Sequence, residues 1–315
     1  MQEFINKIIS GDCIEVLSQV AGPFADLIFA DPPFNIGYKY DKYNDKVKGK
    51  NYIAWTKDWM TACKKVLKPA GSFYIAIGDD YAANVKVIAD ELGLVMRNWI
   101  IWHYTFGQQT KNKFARSHTH IFYFVNDKKD FTFNDYAVLT PSERQLVYND
   151  KRANPTGKMP DDVWGGYSRV CGTFKERAGW HPCQMPEKLL RRIISVSSKA
   201  GDCVLDPFSG SGTTAAVAYK LARNYVGIEI SETYVENANK RLAELEKQQS
   251  TNLFFNSTEL NELKQLVSDM EIPAKKIASD ENLLELFTNQ FAVRLNNKKR
   301  YKKEEIVTAL ESAAD

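Results

Sequence analysis

Apolar residues along this chain come in short runs that alternate with amphipathic stretches. Lys7-Ile8-Ile9 reads as a short strand, Cys13 to Val20 as a short helix, and Asp26-Leu27-Ile28-Phe29-Ala30 as a strand inside a sheet. Short apolar runs that end in polar or glycine-rich turns are the mark of parallel α/β sheets. The run at 26–30 passes straight into Asp31-Pro32-Pro33-Phe34. Two successive prolines lack the N–H that a central strand needs, so the chain is expected to leave the sheet at Asp31.

The unit then repeats. A helix is expected from Tyr52 to Leu67, ending at Pro69-Ala70-Gly71, then a strand at Ser72–Ile77, a helix at Tyr81–Leu92 and strands at Trp99–His103 and Thr119–Val125. Further on, helix Pro186–Ser198, strand Cys203–Leu205, helix Thr213–Leu221, strand Tyr225–Ile228 and helix Glu232–Gln248 restore the rhythm. Such alternation predicts one doubly wound α/β sheet. Residues 127–180 break it, with aromatics such as Phe131, Trp164 and Trp180 scattered among Lys and Arg. A loop-rich insertion of that length is usually functional or disordered, and the aromatics argue against disorder. The predicted organisation is therefore 1–249 as an α/β domain carrying the insert, followed by a helical extension at 250–315.

Composition narrows the picture. Of the 315 residues, 44% are hydrophobic and 26% charged, which are globular proportions with material for a core. No apolar run is long enough to cross a membrane, and no apolar leader follows Met1, so a cytoplasmic protein is expected. None of the five cysteines forms a C-x-x-C pair, and only four histidines are scattered along the chain; metal chemistry is not expected. The net charge of +3 permits a polyanionic partner without requiring one.

Two stretches carry chemistry. Asp206-Pro207-Phe208-Ser209-Gly210-Ser211-Gly212-Thr213 joins a strand to a helix, and Glu229 closes the next strand about 20 residues on. Glycines let the backbone approach a ligand, a helix N-terminus adds free N–H donors, and the acid suits ribose hydroxyls. Asp206 would repel a pyrophosphate but suits the ammonium of an amino-acid moiety; S-adenosylmethionine carries adenosine, a sulfonium and that ammonium. At the other stretch, the Asp31 carboxylate and the Pro32 carbonyl are two acceptors at a set separation, matched to the two protons of an exocyclic amino group. Phe34 offers a flat face for stacking a base.

These residues carry a resemblance. Asp31-Pro32-Pro33-Phe34 resembles the D/N/S-P-P-Y/F/W signature of DNA amino-methyltransferases, Asp206–Gly212 their F-x-G-x-G stretch, and His181-Pro182-Cys183-Gln184-Met185-Pro186 their H-P-T-Q-K-P stretch. The order of catalytic half, insert and cofactor half is that of the β group of adenine-N6 and cytosine-N4 enzymes. Phe34 replaces the commoner Tyr, and Cys183 and Met185 replace Thr and Lys.

The resemblance implies a Rossmann-like, S-adenosylmethionine-dependent methyltransferase fold with a target-recognition insert. It implies catalysis by Asp31, Pro32, Pro33 and Phe34. It places the cofactor on Asp12, Cys13, Asp31, His181, Gln184, Asp206, Phe208, Gly210, Gly212, Thr213 and Glu229, with Lys188 beside them. Double-stranded DNA is the implied substrate, met by Tyr38, Lys39, Lys113, Arg116, Arg144, Arg152, Arg169 and Arg177, with Lys175 as a further cation; the tail residues Lys298, Lys299 and Arg300, beyond the resemblance, suit phosphate contacts and a solubilising face equally. A homodimer and a cognate restriction endonuclease stay open as partners. Asp rather than Ser at position 31 tilts the reading toward adenine over cytosine-N4. A nicotinamide-dependent oxidoreductase would use the same glycine loop but leaves Asp31–Phe34 unexplained.

Overall fold

A computed structural model describes residues 2–108, 110–172, 174, 176–247, 255–295 and 301–312. Lys175, Lys298, Lys299, Arg300 and the junction at 249–250 lie outside them. In chain order the elements are β1 (Lys7–Ser10), α1 (Cys13–Ser18), β2 (Ala25–Ala30), α2 (Gly49–Val66), β3 (Leu67–Ile77), α3 (Asp79–Glu91), β4 (Val95–Gln108) and β5 (Arg116–Val125). The insert contributes α4 (Glu143–Leu146) and β6 (Val163–Trp164). There follow α5 (Glu187–Ser197), β7 (Cys203–Asp206), α6 (Thr213–Lys220), β8 (Asn224–Glu229) and α7 (Glu232–Lys247), then α8 (Ser257–Met270), α9 (Ala274–Ser279), α10 (Glu281–Leu295) and α11 (Lys303–Ser312).

Among the described residues eight strands form one sheet, in the order β1-β8-β7-β2-β3-β5-β4-β6. All neighbours are parallel except β5, which runs against both β3 and β4. The reversal follows from the two successive strands read in the sequence: β4 reaches β5 by a direct return, with no crossover helix between them.

Side chains alternate across the strands and divide the core in two. Leu27, Phe29, Tyr74, Ala76, Ile121 and Tyr123 face α5, α6 and α7. Ile28, Ala30, Phe73, Ile75, Phe122 and Phe124 face α1, α2 and α3. Pro69–Gly71, expected to end a helix, lies instead within β3. Ala25 pairs with Leu67 and Leu27 with Ser72, so the intervening residues bulge from the ladder. Pro69 is tolerated there because a bulge requires no ladder N–H. Lys68 Nζ meets both oxygens of Asp26 at 2.9 and 2.8 Å.

The last four helices share a third core built on Leu263, Leu266, Phe287, Phe291 and Leu310. They pack onto the rest of the chain. Arg294 donates to Leu139 O (2.8 Å) and Gln290 to Thr156 O (3.2 Å), both in the insert. Tyr167 donates to Asp269 (3.4 Å), which also pairs with Arg294 at 2.8 Å. Lys188 donates to Ser268 O (2.8 Å) and lies 4.7 Å over the Tyr167 ring. It therefore fastens α5 to α8, a use that sequence spacing does not reveal. Among the described residues no helix is long and apolar enough to cross a membrane.

Candidate active site

A cavity opens at the C-terminal ends of β1, β2, β7 and β8, where open α/β sheets hold their ligands. Its walls include Asp12, Cys13, Asp31, Pro33, His181, Asp206, Phe208, Gly210, Thr213 and Glu229. The structure thus unites most of the residues that the resemblance places on the cofactor, although they come from opposite ends of the chain.

Each acid is seated by backbone. Asp12 caps α1, its Oδ1 accepting from Ile14 N at 2.8 Å, which leaves the other oxygen available. Glu229 accepts from Gly210 N and Ser231 N, both at 2.9 Å, so the acid and the glycine loop hold each other. Asp206 accepts from Phe208 N at 3.0 Å and from the Thr214 hydroxyl. Burial nevertheless pushes its carboxyl up to about 7. Asp31 is likewise pushed up to about 7, first by burial and then by the charge of Asp206; Arg169 pulls in the other direction. Burial also raises Glu229. A cavity walled by desolvated carboxyls repels phosphate and favours a ligand carrying positive charge and several N–H or O–H donors.

The two loop glycines have different reasons. Gly210 sits at φ +47°, and a Cβ there would lie 2.8 Å from His181 Nε2 in the cavity wall. Gly212 sits at φ +70°, and a Cβ would lie 2.9 Å from Ala238 Cβ on α7. Gly212 permits packing between α6, α7 and β1 and does not line the cavity. Gln184 does not line it either. Its amide donates to Glu176 O (2.7 Å) and accepts from Ala178 N (2.8 Å), so it staples the loop behind the wall. His181 stands edge-on to Tyr234 at 4.8 Å, and burial lowers its ring to about 4, keeping it neutral. Cys13 is pushed up to about 12 by burial and Asp12, so it stays a thiol.

The Asp31 corner is braced from behind. Tyr52 donates to Pro33 O at 2.5 Å. Among the described residues nothing donates to the Pro32 carbonyl. Phe34 lies against Gly78, whose missing side chain leaves it room: a Cβ there would be 3.2 Å from the ring. Asn35, at φ +58°, bonds Val47 N and O and the Tyr81 hydroxyl. Buried Asp45 accepts from the N–H groups of Asn35, Ile36 and Tyr38. Sequence reasoning missed Asp45, Tyr52 and Tyr81; their only trace was the Asn directly after Phe34. It also missed Trp55, Ser231 and Tyr234, which with Tyr40 complete the cavity wall.

The basic candidates scatter. Arg169 is exposed, stacks 5.3 Å over Tyr104 and faces Asp31 electrostatically. Arg116 reaches Asp79 at 2.8 Å. Arg144 and Arg152 converge on Asp150 (2.6 and 3.0 Å) and hold its carboxyl well below the usual range. Arg177 donates to Gly172 O. Lys39 pairs with Asn44 in an isolated bridge, and Lys113 is exposed in the β4–β5 turn. Asp79, His118 and His120 gather within metal-ligand reach. Trp99 donates to His120 Nδ1 (2.9 Å), however, so Nε2 of the neutral ring holds the proton and donates to Asp79. The cluster is a hydrogen-bonded anchor.

Comparison with known proteins adds the following. A family model described as DNA methylase matches residues 25–240. The DNA adenine methyltransferase YhdJ of Escherichia coli K12 is 38% identical over 245 residues, covering 75% of this chain and 82% of that protein. The type II methyltransferase M.HpaI of Haemophilus parainfluenzae is 36% identical over 237 residues, covering 75% and 74%. The fold also resembles that in the crystal structure of an M1.HpyAVI–SAM complex, with a TM-score of 0.52 and 22% identity over 75% of this chain and 99% of that one.

Proposed function

Because this chain belongs to the N6/N4 DNA methylase family, we propose that it methylates the exocyclic N6 of adenine in double-stranded DNA at a defined sequence. The observation that carries this reading is the placing of Asp31, next in the chain to the unbonded Pro32 carbonyl, in the wall of one acidic cavity with Asp12, Asp206 and Glu229. The adenine relative YhdJ supports the choice of base.

S-adenosylmethionine, when bound, supplies a methyl group made electrophilic by its sulfonium. The chain's acids suit it: Asp206 for the ammonium, Glu229 for ribose hydroxyls and the free oxygen of Asp12 for the adenine amino group. Pyrophosphate cofactors do not suit a cavity so acidic.

The amino nitrogen of adenine is a weak nucleophile because its lone pair is shared with the ring. Asp31 and the Pro32 carbonyl accept its two N–H bonds and turn the lone pair out of conjugation. The prolines and the Tyr52 bond fix that pair of acceptors, so little reorganisation accompanies reaction. Phe34 stacks on the base. The methylated nitrogen is cationic and strongly acidic, and Asp31, with a carboxyl near 7, takes its proton. The Arg169 charge favours the ionised form of Asp31 against burial and the charge of Asp206. A base inside a duplex cannot reach this corner, so it must be everted.

The test is to incubate unmethylated DNA with labelled cofactor and digest it to nucleosides. N6-methyladenosine is expected; N4-methylcytosine alone would replace adenine by cytosine within the same family.

A further inference from the structure

The two strands β4 and β5 outrun their sheet. β3 supports β5 as far as Ile77, opposite His120. β4 and β5 remain paired beyond that level at Trp102↔Thr119 and His103↔His118 and, past a register shift in β4, at Gln108↔Arg116. At about 3.3 Å per residue this arm projects on the order of 10 Å before its turn. It springs from the edge that holds Asp31. Ala30 pairs with Ile75 of β3, and β3 leaves the sheet through Ala76-Ile77-Gly78. Gly78 lies against the Phe34 ring, so the root of the arm stands beside that ring.

Arg116 fastens the arm to Asp79, at the start of α3. In the turn is Phe114, 99% exposed; the next most exposed large apolar side chain among the described residues, Tyr148, is at 74%. Lys111, Lys113 and Arg116 surround it in sequence, and both lysines are exposed.

A phenyl ring held wholly in water gains from any apolar cover, and its lysine neighbours select a polyanion as the source of that cover. Eversion of a base leaves a slot in the duplex one ring thick, lined by the faces of the adjoining bases. We propose that the β4–β5 arm enters the duplex beside the target and that Phe114 inserts into the slot vacated by the everted base. The proposal rests on the reading of this chain as a DNA methyltransferase. Phe34 then faces the base that has left the stack, and Phe114 replaces it within the stack.

The experiment uses the full chain and the site mapped by sequencing modified DNA from a methylation-free host that expresses it. Two synthetic duplexes carry that site, one fully paired and one mismatched opposite the target, where eversion costs less. Phe114→Ala is expected to lose about tenfold or more in kcat/KM on the paired duplex and to come within about threefold of the parent on the mismatched one. Phe114→Trp keeps most of the activity on both. Cofactor calorimetry and thermal melting of both variants match the parent, since so exposed a ring supports no core. Equal activity of Phe114→Ala and parent on the paired duplex overturns the proposal, as does an equal loss on both duplexes. A host genome left without modified bases overturns the methyltransferase reading instead.

Discussion

The charge of Asp206 lifts the carboxyl of Asp31, and the two residues close neighbouring strands of the sheet. Both carboxyls sit near 7 rather than 3.8, chiefly because they are buried. The cavity therefore stores unfavourable charge that a cationic ligand relieves.

The first consequence is in the pH profile. Asp31 can take the proton of the methylated nitrogen only when ionised, so kcat/KM of the free enzyme falls as pH drops through about 7. Arg169→Gln removes the cation that lowers this carboxyl, and the acid limb moves to higher pH. Arg169→Lys largely restores it. A loss that is uniform from about pH 6 to 9 would assign Arg169 to DNA contact alone. Initial rates across that range decide between them.

Stability without ligand runs the other way with pH. A carboxyl raised from 3.8 to about 7 contributes stability that is full below 3.8 and lost as pH rises through 7. Asp206→Asn escapes that loss. Its melting temperature is expected to exceed the parent's at about pH 8, by at most about 4 kcal/mol of equivalent stability, with the gap closing toward about pH 4. The lost hydrogen bonds from Phe208 N and Thr214 reduce the gain. Melting curves at a series of pH values check it, and cofactor affinity falls in the same variant.

Asp31→Asn keeps the shape of the corner but removes the charge. A fall in kcat of about 10²–10³-fold is expected, the scale of losing one preorganised group aimed at developing charge. DNA affinity, measured by band shift, stays within a few-fold. A variant that turns over at the parental rate would remove Asp31 from the chemistry.

The two glycines of the loop separate stability from binding. Gly212→Ala drives a Cβ to 2.9 Å from Ala238 at a positive φ, and a cost of about 1–3 kcal/mol is expected in denaturant titration. Gly210→Ala shares the strain of a positive φ, but its Cβ meets the imidazole edge of His181, a side chain that can yield. Its main effect is expected in cofactor calorimetry, through a narrowed cavity.

What could be read in the sequence was local. The Asp31 corner announces itself because two prolines stop a strand on the spot, and the 206–213 loop because glycines and an acid recur at a set interval. Gln184 misled because its neighbours His181 and Cys183 do line the cavity, and only the fold shows its amide turned to Glu176 and Ala178. Arg144 and Arg152 read as free cations until Asp150 is found between them. Asp45 holds three N–H groups of a loop that starts ten positions earlier, and no periodicity marks such a residue. The docking of α10 on the insert joins Arg294 to Leu139, 155 positions apart, through a carbonyl that any residue would offer.

The pairing of β1 with β8 has a consequence for how the protein is made. Asn6 accepts from Tyr225 N, 219 positions away, and Gly11 donates to Glu229 O, so one wall of the cavity is synthesised long before the other. Contacts so distant in sequence form slowly and late. A ribosome must finish most of this chain before its pocket exists, and a nascent copy arrested earlier has nowhere to hold a methyl donor.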